Sequence, residues 1–132
     1  AMLLSCAWPA VATDLPARLV AGALSISGLF DLEAMRQTPP LQADLRLTPA
    51  SVRRLSPAGF AAPIGPLYAT VGADESEEFR RQTTLMRARW GASAVPVCET
   101  IPGAHHFSVL DDFIDPHGRL HGLALRLLGL AV

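Results

Sequence analysis

The sequence predicts an α/β domain built in three layers, with about three parallel strands flanked by helices. Three observations point there. Residues 19–26, 66–72 and 94–101 are short apolar runs rich in strand-forming residues, and none shows the polar alternation of a half-solvated sheet. Helix-like segments separate them, so each connection is a crossover rather than a hairpin. Residues 76–90 form an amphipathic pattern, with Phe79, Thr83, Met86 and Trp90 on one stripe and Glu77, Arg80, Arg81 and Arg87 mostly off it. All 132 residues are expected to form one domain.

In chain order, residues 1–6 read as the last turn of a helix that Pro9 stops. The first strand, 19–26, leads through Ser27-Gly28-Leu29-Phe30-Asp31-Leu32 into an irregular helical stretch punctuated by Pro39-Pro40 and Pro49. Thr48 and Pro49 are a good N-cap and first-turn pair for a short helix to Leu55. Asp31 is expected to cap locally. A loop rich in Pro, Gly and Ala feeds the second strand, the amphipathic helix follows, and Gly91 is expected to end it. After the third strand come a turn with His105 and His106, a short helix at 108–114 and a last helix from about 117 to 130.

Half of the residues are hydrophobic and 17% are charged, which excludes disorder and asks for extensive burial. Mean hydropathy is +0.30. The net charge of −1 and the scattered basic residues argue against nucleic acid as a partner. The apolar run 120–132 is shorter than the roughly 20 residues that span a bilayer and contains Arg126, so no membrane association is expected. Cys6 and Cys98 fit neither a disulfide framework nor a zinc spacing and are read as small core residues. With no convincing signal peptide, the expected location is cytoplasmic.

The chemistry-bearing pattern is a carboxylate and a histidine, each just after a strand. Gly72-Ala73-Asp74-Glu75 follows the second strand and Gly103-Ala104-His105-His106-Phe107 the third. Turns at the carboxyl ends of parallel strands are where α/β enzymes keep their reactive groups. The order acid then histidine is that of the last two members of a Ser…acid…His triad. His117 and His121 have a spacing that on one helix would suit a metal, but a third ligand has no defined position and a solvated face is expected. Ser27 ends a strand, yet it lacks the preceding glycine of a nucleophile elbow. His105 reads as a packing or capping neighbour.

These segments together resemble the C-terminal half of an α/β-hydrolase, and more narrowly the arylformamidase (kynurenine formamidase) and small bacterial esterase branch. The resemblance rests on residues 27–32, 72–82 and His105-His106-Phe107, and it spans nearly the whole chain. It implies a partial α/β-hydrolase fold and a serine-type acyl hydrolase acting on an ester or N-formyl amide. The family's acid lies three residues after the strand's glycine and four before the phenylalanine. Both counts give Glu75, with Asp74 the runner-up because the family usually has aspartate. The family's histidine precedes the phenylalanine, which gives His106. Such a triad needs no metal and no organic cofactor. The sequence contains no Gly-x-Ser-x-Gly and no His-Gly-Gly, so nucleophile and oxyanion hole are missing. The chain is accordingly read as truncated just downstream of the elbow and inactive alone. Its small-molecule substrate would need the complete enzyme. The alternative is a non-catalytic α/β module that self-associates, as a dimer, through an exposed sheet edge.

Overall fold

The computed structural model describes residues 1–130. Three parallel strands form one sheet in the order β1-β2-β3, with β1 at Ala23–Ile26, β2 at Leu67–Gly72 and β3 at Val97–Ile101. Ala23 stands opposite Leu67, and Tyr68 opposite Val97. Helices cover both faces, which is the three-layer α/β arrangement the apolar strands require.

The side-chain alternation of β2 decides which layer each residue joins. Leu67 and Ala69 face the long helix α5 (Glu77–Ala94) and pack with its Met86, Trp90 and Ala94, together with Leu4, Phe30 and Val95. Tyr68 faces the other way, toward Leu24 and Ile26 of β1 and Val97 of β3. Beneath these lie Val109 of α6 (Val109–Ile114) and Leu120 and Leu123 of α7 (Arg119–Leu127).

Between β1 and β2 the chain makes three short helices, α2 (Glu33–Arg36), α3 (Pro39–Leu45) and α4 (Pro49–Leu55). A preceding turn of helix, α1 (Trp8–Val11), lies near the chain start. Thr48 caps α4 as its sequence promises. Its hydroxyl accepts from Ser51 N, and the Ser51 side chain answers to Thr48 N. Asp31 also caps, accepting from Glu33 N at 3.1 Å.

The structure revises several boundaries. β1 begins only at Ala23, where its ladder with β2 starts through Ala23 N and Pro66 O. Pro9 does not stop a helix: it occupies the first turn of the Trp8–Val11 helix, where its missing N–H costs nothing. Gly91 leaves helical geometry at φ 81, yet Ala92 to Ala94 add another turn that closes on Val95 N. His117 precedes α7, so it and His121 do not share a helix and the four-residue spacing has no meaning as a metal motif. α7 has glycine at its N-cap, and the Asp112 carboxylate from α6 accepts the Arg119 and Leu120 N–H groups instead.

Candidate functional site

The three strands end on the same side of the sheet, and each delivers one polar side chain to a common point. β1 runs into Ser27, β2 into Glu75 and β3 into His106. Parallel strands make this convergence automatic, because all their carboxyl ends share one edge of the layer.

The turn after β2 is held against the turn after β3 by backbone bonds. Ala73 N donates to Ile101 O at 2.9 Å, and Asp74 N donates to Ala104 O at 3.0 Å. This approach needs a glycine at 72, where an added Cβ would stand 2.3 Å from the Ala104 carbonyl oxygen. The result places Glu75 inward, its side chain fully enclosed, and leaves Asp74 exposed.

Glu75 is tethered by three donors. Oε1 accepts from the Ser27 hydroxyl at 2.5 Å and from Gly72 N at 2.8 Å. Oε2 lies 2.7 Å from His106 Nδ1. Burial pushes the Glu75 carboxyl up, but the bonds from Ser27, Gly72 and His106 outweigh it and hold the group below the usual 4.5. An ionised carboxylate only accepts, so Nδ1 carries the hydrogen and the lone pair of the neutral ring sits on Nε2.

His106 is half-exposed, and Nε2 has no hydrogen-bond partner among the described residues. Its ring is also fixed by packing. The Phe79 ring lies at 4.7 Å with a tilt of 31°, and the exposed Phe107 meets it edge-on at 5.4 Å. Ring orientation thus comes from a carboxylate at one edge and aromatic neighbours at face and side. His105 has a different job. Its Nδ1 accepts from Phe107 N and Ser108 N, which caps the approach to α6.

The structure brings Glu75 and His106 together and leaves Asp74 aside. Two further residues are not evident from sequence. Ser27 donates to Glu75, not to His106, so the carboxylate bridges the two. Gln82 is fully buried in α5; its Oε1 accepts from Phe30 N and Asp31 N, and its Nε2 donates to Asp31 O and Glu78. This amide locks the turn after β1 onto α5. The signal available for Gln82 was its place beside Thr83 on the buried helix stripe; Ser27 had none beyond ending a strand.

Among the described residues no three His, Cys, Asp or Glu side chains gather as metal ligands, and no helix is long and apolar enough to cross a membrane. Cys6 and Cys98 are free thiols; burial pushes Cys98 up, away from the reactive range.

The site pairs an imidazole with a buried carboxylate, and the chain is similar to a known protein. The chain is 27% identical to a kynurenine formamidase of Danio rerio over 117 residues, 83% of this chain. It spans 40% of that relative's length. This supports a distant relationship to the kynurenine formamidases. No protein-family profile matches the chain, and no solved structure does.

Proposed function

We propose that this chain carries the acid and base of a serine-type acyl hydrolase of α/β-hydrolase ancestry, acting on an ester or an N-formyl amide of a small molecule. The observation that carries the reading is the Glu75–His106 pair, with Nδ1 held at 2.7 Å and Nε2 free. In this reading Nε2 of His106 takes the proton of a serine hydroxyl, and Glu75 steadies the imidazolium and fixes the tautomer. The formamide class follows the Danio rerio relative, a kynurenine formamidase. With no Gly-x-Ser-x-Gly in its 132 residues, the chain alone has no turnover.

The test uses the polypeptide encoded by the whole open reading frame that contains these residues. Hydrolysis of an aryl ester or N-formyl anilide that disappears in His106→Gln supports the assignment. Turnover indifferent to that change overturns it. For the 132-residue chain, a fluorophosphonate probe should leave every serine unlabelled; labelling at a serine of this chain overturns the claim that it is inactive.

A second reading, that the chain works as a self-associating module, rests on the outer side of β1. Among the described residues this strand pairs with β2 alone, and apolar grooves of about 460 and 320 Å³ flank it. A second copy is the proposed occupant. Sedimentation equilibrium decides between a dimer and a monomer.

A further inference from the structure

We propose that Ser27 is the positioning residue for Glu75: its hydroxyl, delivered from the neighbouring strand β1, holds the carboxylate in the rotamer that reaches His106. The inference rests on the reading of Glu75 and His106 as acid and base, and it gives Ser27 a role other than nucleophile.

Four observations carry it. The Ser27 hydroxyl lies 2.5 Å from Glu75 Oε1, while Oε2 of the same carboxylate serves His106. Glu75 reaches His106 on a side chain one methylene longer than an aspartate, so it has one more torsion to fix. Gly72 N, the other donor to Oε1, belongs to the same turn as Glu75, whereas Ser27 is an independent anchor on another strand. Finally, Ser27 is held at φ 53, in the left-handed region that serine rarely occupies. Its own N–H is pinned to Thr70 O at 2.8 Å, so this backbone conformation is imposed by the ladder. The turn that carries it is tight at Gly28, where a Cβ would sit 2.4 Å from the Phe30 ring and 2.3 Å from the Ser25 hydroxyl. This backbone conformation aims the hydroxyl at the buried carboxylate.

The experiment is NMR on the isotope-labelled 132-residue chain, reading the Glu75 side-chain carbon through an acid titration and the His106 Nδ1 proton at neutral pH. Wild type should show a protected Nδ1 proton, and Glu75→Gln should move the ring hydrogen to Nε2, because the amide then donates to Nδ1. Ser27→Ala and Ser27→Gly both remove the hydroxyl, and glycine also relieves the positive φ, so one variant folds even if the other is weakened. The expected result in both is a roughly tenfold lower acid dissociation constant for Glu75, the worth of one hydrogen bond to a charged group. The Nδ1 proton should exchange about tenfold faster. An unchanged Glu75 titration and Nδ1 exchange in the folded Ser27→Gly chain overturns the role of Ser27 and leaves the acid–base reading standing. A wild-type ring without the protected Nδ1 proton, or a Glu75→Gln ring that keeps it, overturns both.

Discussion

Among the described residues the two outer strands of the sheet each pair with β2 alone, but they are finished differently. β3 offers five residues in register with β2, and its Glu99 is fastened to Arg119 of α7 at 2.7 Å. It then turns directly into the loop whose backbone is tied to the Glu75 turn. β1 offers four residues, none of them charged, all half-buried, with an apolar groove on either side. A charge on an outer strand discourages further pairing, and β1 has no such guard. The difference teaches that His106 hangs from the outer strand that carries a charge and Glu75 from the central strand. Ser27, which meets Glu75 alone of the two, hangs from the outer strand without a charge.

The largest expected effect comes from parting the turns after β2 and β3. Gly72→Ala drives a methyl into the Ala104 carbonyl and should cost about 2–3 kcal/mol in urea unfolding, with loss of the Nδ1 contact. A stability within 0.5 kcal/mol of wild type would mean the two turns can part freely. Next is Glu75→Gln, with a cost of about 1–3 kcal/mol from a strained buried network. Its pH dependence has a definite sign. The folded Glu75 titrates below 4.5, so its contribution is complete above that value and fades as pH falls through the folded value. The stability gap between wild type and Glu75→Gln should therefore narrow below pH 4.5, and a gap constant into acid would refute it.

Arg119→Ala unfastens the Glu99 carboxylate of β3 from α7. Both partners are more than a third exposed or nearly so, which limits the loss to about 0.5 kcal/mol, less at high salt. The smallest effect on the fold should come from Leu128→Glu, at a residue 71% exposed beside the β1 groove, with a change under about 0.5 kcal/mol. The same variant should shift any dimer toward monomer in sedimentation. Indifference there, with a dimer still present, would place the association surface elsewhere.

Much of this was legible in the sequence, for reasons of range. Strand identity, the α5 stripe and the Thr48 cap depend on residues within a few positions of one another. The choice of Glu75 over Asp74 comes instead from the family resemblance, whose counts from Gly72 and Phe79 agree. What escaped is set by distant parts of the chain. Ser27 meets Glu75, and Gln82 meets Phe30 and Asp31, only after the sheet has assembled. The start of β1 is likewise decided by where β2 offers a partner, not by the apolar run that begins at residue 19.

The parallel ladder also sets an order in time. β2, α5 and β3 follow one another directly, and their pairing closes a crossover that is itself mostly helix. β1 reaches β2 across the longer, broken stretch through α2, α3 and α4, whose closure costs more chain freedom, so it is expected to dock later. Glu75 and His106 can thus meet in a partly assembled chain, and the hydroxyl of Ser27 arrives with the last strand to dock. On this order the bond between Ser27 and Glu75 is a latch, expected to close with the last strand.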